Sequence, residues 1–103
     1  DQMHGGKDND VMHDGDGDDV VSGNSGDDLF VVGEGDDSYD GGSGFDTIDY
    51  SNAKNAVNVD LNGHTATGMG NDAIYGVEAV IGSAYDDVLF GDKNDNVFYG
   101  GEG

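Results

Sequence analysis

GGKDNDVMH (5–13), DGDGDDVVS (14–22), GNSGDDLFV (23–31), VGEGDDSYD (32–40) and GGSGFDTID (41–49) follow one another without a gap and share one nine-residue pattern. The sixth place is aspartate in every unit, as Asp10, Asp19, Asp28, Asp37 and Asp46. The eighth is apolar or aromatic every time, as Met12, Val21, Phe30, Tyr39 and Ile48, while glycines crowd the first four places. A fixed period of this kind makes each unit a supersecondary element that buries its apolar face only by stacking on its neighbours. The glycine-rich half can adopt positive φ and bend tightly, and the last three residues can form a short strand whose middle side chain points inward. The chain therefore reads as all-β, with turn and strand alternating.

If each nonapeptide is half a coil, successive turns lie on opposite edges and turns two repeats apart stack directly. Met12, Phe30 and Ile48 then form one inward ladder, with Val21 and Tyr39 on the other sheet. His4 and His13 occupy ninth places on opposite sheets, so they should not meet around a zinc ion. His64 has no second histidine or cysteine near it in sequence, and Phe90, Tyr99 and Tyr75 hold ninth places that should point outward.

The phase is lost after Asp49, where YSNAKNAVNVDLNGHTA (50–66) carries other signals. Val57, Val59 and Leu61 alternate with polar neighbours, and Asn62-Gly63 predicts a type I′ turn with positive φ at both residues before His64-Thr65-Ala66. This inserted β-hairpin is expected to lie outside the ladder of repeats. The pattern returns as TGMGNDAIY (67–75), is interrupted by GVEAVI (76–81), and resumes as GSAYDDVLF (82–90) and GDKNDNVFY (91–99) before a closing GGEG. Asp72 and Asp87 hold the sixth place, Asn96 replaces aspartate, and Tyr85 stands where glycine is usual. The expected organisation is a first run over 1–49, the hairpin over 50–66 and a second, less regular run over 67–103. With no initial methionine and a last repeat cut short, the sequence reads as a piece of a longer chain.

With 23 acidic side chains against 3 basic ones, the formal net charge is -20 on 103 residues. Such a chain repels itself and would ordinarily stay disordered unless cations intervene. Nucleic acid is excluded as a partner, because phosphate binding needs clustered Lys and Arg and here Lys7, Lys54 and Lys93 stand apart. An anionic membrane surface is excluded on the same ground. Without cysteine there are no disulfides and no thiolate zinc sites. No apolar run approaches a membrane span and no signal-peptide pattern is present, so the chain reads as soluble.

A cation of calcium's size takes six to eight oxygen ligands, from carboxylates and backbone carbonyls. The repeat offers both kinds. The sixth-place carboxylates Asp10, Asp19, Asp28, Asp37, Asp46, Asp72 and Asp87 are the candidate charged ligands. The candidate carbonyl donors are the second and fourth places: Gly6 and Asp8, Gly15 and Gly17, Gly26, Gly33 and Gly35, Gly42 and Gly44. Stacking at an interval of two repeats predicts one ion between Asp10 and Asp28, one between Asp19 and Asp37, and another between Asp28 and Asp46. Fifth-place Asp18, Asp27 and Asp36 are read as facing solvent. Magnesium is disfavoured because it keeps its waters and demands a tighter octahedron.

These residues resemble the RTX, or hemolysin-type, calcium-binding repeats, whose motif Gly-Gly-x-Gly-x-Asp-x-apolar-x is matched by GGSGFDTID at every specified place. The likeness is close over Gly5 to Asp49 and looser over Thr67 to Gly103. It implies a right-handed parallel β-roll, several Ca2+ ions in the turns, and membership of a larger bacterial protein exported unfolded through a type I system. The expected partners are then calcium and the neighbouring domains of the parent chain, in an extracellular or cell-surface setting. No HExxH helix, G-x-S-x-G elbow or phosphate loop with its lysine is present, so no catalysis is expected of this chain. The alternatives are an accessory repeat of a secreted protease, lipase or polysaccharide-modifying enzyme, or an adhesin segment that binds an extracellular glycan through its outward aromatics.

Overall fold

In the computed structural model, residues 2–92 and 96–100 are described; Lys93 and the closing Gly101, Glu102 and Gly103 lie outside them. The short strands are β1 (Gln2–His4), β2 (Val11–His13), β3 (Val20–Ser22), β4 (Leu29–Val31), β5 (Ser38–Asp40) and β6 (Thr47–Asp49). They continue as β7 (Asn58–Asp60), β8 (Thr65–Thr67), β9 (Asn71–Tyr75), β10 (Ala79–Ile81), β11 (Val88–Phe90) and β12 (Val97–Tyr99). No helix forms among the described residues, and none is long and apolar enough to cross a membrane.

Alternate strands go to alternate sheets, except that β7, β8 and β9 share one. A seven-stranded sheet runs β1-β3-β5-β9-β8-β7-β11 and a five-stranded sheet runs β12-β10-β6-β4-β2. Every pairing is parallel except the two that involve β8. This is a parallel β-roll in which each nonapeptide makes half a coil. The register stacks Met12, Phe30, Ile48, Val80 and Phe98 on one sheet and Met3, Val21, Tyr39 and Ile74 on the other. Phe30, Ile48 and Val80 are 0 % exposed, so the inward ladder expected from the eighth place is the core. His4 and His13 fall on separate sheets, and Tyr75, Phe90 and Tyr99 are exposed, as their ninth places imply.

Residues 50–66 differ from expectation in two ways. The hairpin forms, with β7 and β8 antiparallel, but its turn is the four-residue stretch Leu61 to His64 between the paired Asp60 and Thr65. Positive φ falls on His64 (61°), and neither Asn62 nor Gly63 adopts it. The Asp60 carboxylate accepts the Gly63 N–H at 3.0 Å, which favours a longer turn over a type I′ pair. Gly63 is needed for closeness, since a Cβ would sit 2.9 Å from Asp60 Oδ2. The second difference is that the hairpin lies within the ladder. β8 pairs β9, which pairs β5, while β7 pairs β11, so the insertion bridges β9 and β11 within the seven-stranded sheet. Val57, Val59, Leu61 and Ala66 are buried, and leaving the hairpin outside the sheet would expose that face to water.

The packing gives a direct test. Ile48→Ala removes the centre of a fully buried ladder and should cost about 2–5 kcal/mol in equilibrium urea unfolding. Val11→Ala, on a side chain 63 % exposed, should change stability by less than about 0.5 kcal/mol. Equal losses would contradict the inward and outward assignment.

Candidate metal centre

The turns stack as closely as the strands. Gly26 has φ 105° and Gly44 has φ 105°, and a Cβ at either would collide with a carbonyl oxygen one coil below, Asp8 O and Gly26 O respectively. On the opposite edge Gly35 lies in the same way over Gly17 O, and Gly70 over Gly35 O. These contacts explain the glycine at the fourth place of these four turns. They also bring the second- and fourth-place backbones of successive coils into register. Gly6 accepts the Ser25 N–H at 3.0 Å through its carbonyl, and Asn24 accepts that of Ser43 at 2.9 Å. Gly15, Gly33 and Gly42 complete the set: a Cβ on Gly33 or Gly42 would strike Gly15 O or Asn24 O.

The sixth-place carboxylates form a ladder of their own. Oδ1 of Asp28 accepts the Asp10 N–H at 2.9 Å, and Oδ1 of Asp46 accepts that of Asp28 at 2.9 Å. On the other edge Oδ1 of Asp37 accepts the Asp19 N–H at 2.8 Å, and Oδ1 of Asp72 accepts that of Asp37 at 2.9 Å. Residues two repeats apart are thus brought together as the spacing predicts. Asp19, Asp28, Asp37, Asp46 and Asp72 are all buried. Fifth places make a parallel, exposed ladder: Asp18, Asp27 and Asp36 accept the N–H groups of Asp36, Phe45 and Asn71. Their exposure matches the sequence reading, and holding the coils in register is a role that reading missed.

Burial makes these charges expensive. Asp46 is pushed up to about 7, chiefly by desolvation and then by Glu78 and Asp28 nearby, with a backbone hydrogen bond opposing. Asp37 is pushed up to about 6 and Asp72 to about 7, again by desolvation first. Most telling is Oδ2. In Asp10, Asp28 and Asp46 this oxygen is buried with no hydrogen-bond partner. A buried, unsatisfied carboxylate oxygen is strongly unfavourable unless a cation or proton meets it. A hard divalent ion that prefers carboxylate and carbonyl oxygen fits this donor set, whereas a zinc site would need nitrogen or sulfur ligands that the turns lack.

Three residues complicate the pattern. Glu78 takes the sixth place of its coil: its Oε1 accepts the Asp46 N–H at 2.8 Å, and burial raises its pKa. The sequence hid it because the turn Gly76 to Glu78 is half the usual length, although an acid two residues before inward Val80 was the available signal. Asp14 was also missed. It is buried at a first place, and its carboxylate lies within 4.8 Å of those of Asp19 and Asp37. Asp87, by contrast, is occupied by its own turn, accepting Ser83 N–H at 2.8 Å and Ser83 Oγ–H at 2.6 Å. Its Oδ1 also accepts the Val57 N–H at 2.8 Å, so the coil stacked beside it presents a valine where a sixth-place aspartate would stand. His64 stacks on Tyr75 with ring centroids 4.6 Å apart, away from any other histidine.

The comparisons with known proteins agree with this geometry. A search of the curated proteins gives no match to the chain. A family model described as RTX calcium-binding nonapeptide repeat (4 copies) matches residues 1–30, 13–48 and 75–103. Those segments contain the stacked turns of Asp10, Asp19, Asp28, Asp37 and Asp46, and the chain belongs to the RTX calcium-binding nonapeptide repeat family.

Proposed function

We propose that this calcium-binding module is a folding switch of a larger secreted protein, disordered without calcium and rigid with it. The observation that carries the proposal is the unpartnered, buried Oδ2 of Asp28 and Asp46. Asp10, Asp28 and Asp46, with the Glu78 carboxylate above them, form a column of acids along one edge, and the stacked turn carbonyls lie beside it. Bound calcium would supply the positive charge that lets these oxygens leave water together. Asp28 belongs to two interfaces of the column, with Asp10 on one side and Asp46 on the other, so it is assigned to two ions.

Magnitudes favour a switch over a minor adjustment. Extracellular sites of this kind bind at about 10⁻⁴ to 10⁻³ M, and tenfold saturation of one site adds about 1.4 kcal/mol by linkage. Roughly three sites sharing ligands would add about 4 kcal/mol, comparable with the whole stability of a small domain. The repeat is itself non-catalytic. Submicromolar calcium inside a cell would leave the chain extended for export, and millimolar calcium outside would fold it, where it would stabilise or space its parent. The glycan-binding reading has less support, because Phe90 and Tyr99 stand on different sheets and Tyr75 is engaged with His64.

Asp28→Ala should raise the calcium midpoint of folding more than Asp10→Ala, since it disturbs two interfaces of the column. Equal midpoints would refute the shared-ligand assignment. Protons should substitute in part for calcium. The folded-state pKa values of Asp37, Asp46 and Asp72 are raised from 3.8 to about 6, 7 and 7. Their contribution to stability is therefore fully present below about pH 4 and lost as pH rises through 6 to 7. In chelator, circular dichroism should show more β structure at pH 4.5 than at pH 8, and Asp46→Asn should flatten that profile. A signal independent of pH would contradict the burial of these acids.

A further inference from the structure

The two edges of the roll are built differently. On the edge formed by turns 5–10, 23–28 and 41–46, the first place is Gly5, Gly23 and Gly41, and a Cβ there would run into Oδ2 of Asp10, Asp28 and Asp46 respectively. On the opposite edge the equivalent positions carry side chains, Asp14, Val32 and Tyr50, all buried. Here the Oδ2 atoms of Asp14, Asp37 and Asp72 find hydroxyl donors within the protein. The Tyr39 hydroxyl donates to Oδ2 of Asp14 and, at 3.3 Å, to Oδ2 of Asp37. The Tyr50 hydroxyl donates to Oδ2 of Asp72 at 2.8 Å. Desolvation and the facing carboxylates push both phenols far above their ordinary range, so they stay protonated donors.

We propose that Tyr39 and Tyr50 divide the work between the edges: their hydroxyls stand in for an ion at Asp14, Asp37 and Asp72, so that the Asp10, Asp28 and Asp46 edge carries calcium-dependent folding. The tyrosine edge takes calcium afterwards, in a weaker class of site. This deepens the folding-switch reading and rests on it. The physical basis is what each oxygen gains from a cation. An Oδ2 with no partner recovers its whole desolvation penalty on meeting one, whereas an Oδ2 already holding a phenol O–H has recovered part of it. Tyr39 and Tyr50 are accordingly positioning residues. Their rings also pack in the core, with Tyr39 and Phe30 centroids 5.8 Å apart, so the test must remove hydroxyls and keep rings.

Calcium titrations would be followed by far-UV circular dichroism for folding and by calorimetry for affinity classes. In the wild type, two classes are expected, the tighter coinciding with folding. Asp28→Asn should raise the folding midpoint by about fivefold or more, while Asp37→Asn should move it less than about twofold and remove binding only from the weaker class. Tyr39→Phe with Tyr50→Phe should raise both midpoint and steepness, because folding then draws on ions at both edges, and should merge the two classes into one. A purely packing role would leave the classes apart. Equal shifts for Asp28→Asn and Asp37→Asn, or two separate classes in the double phenylalanine variant, would overturn the proposal. If the double variant does not fold at any calcium level, Tyr50→Phe alone, which strips one carboxylate, is read by the same criterion. A wild type that binds no calcium would sink the folding-switch reading itself, whereas one that folds with a single class would overturn only the division between edges.

Discussion

The stacking of buried carboxylates is the constraint on which the rest of the structure depends. Within the first run each coil is held to the next by a sixth-place Oδ1 that accepts a backbone N–H 18 residues away, so the acid cannot be moved out to solvent without losing the register of the roll. The same placement leaves the other oxygen of Asp28 and Asp46 inside the protein with nothing to meet it. Structure and charge are therefore inseparable: the hydrogen bond that builds the coil creates the demand for a cation.

Little else in the molecule could hold it together alone. Among the described residues all strands but β9 are three residues long, and an isolated strand of that length contributes few contacts. The inward ladder of Phe30, Ile48 and Val80 beside Tyr39 and Ile74 is well packed but thin. Against it stands a formal net charge of -20 and a chain with 20 glycines, whose ordering is entropically unfavourable. Neutralising the turn carboxylates would relieve the charge repulsion while adding oxygen contacts between coils. On the proposed reading, one ligand type would then govern folding of the whole roll, hairpin included.

Much of this was legible in the sequence because a period of nine fixes both what faces inward and what stacks. Met12, Phe30 and Ile48 had to form one ladder once Asp10, Asp28 and Asp46 formed another. What the period could not reveal were departures from itself. Glu78 sits in a shortened turn, where counting by nine passes over it, yet it completes the Asp46 coil. Asp14 occupies a first place, where the other edge has Gly5, Gly23 and Gly41, and its role appears only when Tyr39 is brought across the core to it. The hairpin turn was misjudged because Asn62-Gly63 is a strong local signal, while the Asp60 carboxylate that captures the Gly63 N–H acts through side-chain geometry. Its place within the sheet depended on long-range pairing of β8 with β9, which no local pattern encodes.

The most direct measurement is small-angle X-ray scattering of the chain in chelator and again in millimolar calcium, with magnesium at the same concentration as the control. The account predicts an expanded chain in chelator and in magnesium, with a radius of gyration near the roughly 30 Å of an unfolded polymer of this length. Calcium should bring it to a compact particle close to the 12.1 Å of the folded roll. A chain already compact in chelator at neutral pH would contradict the claim that buried carboxylates make folding depend on calcium.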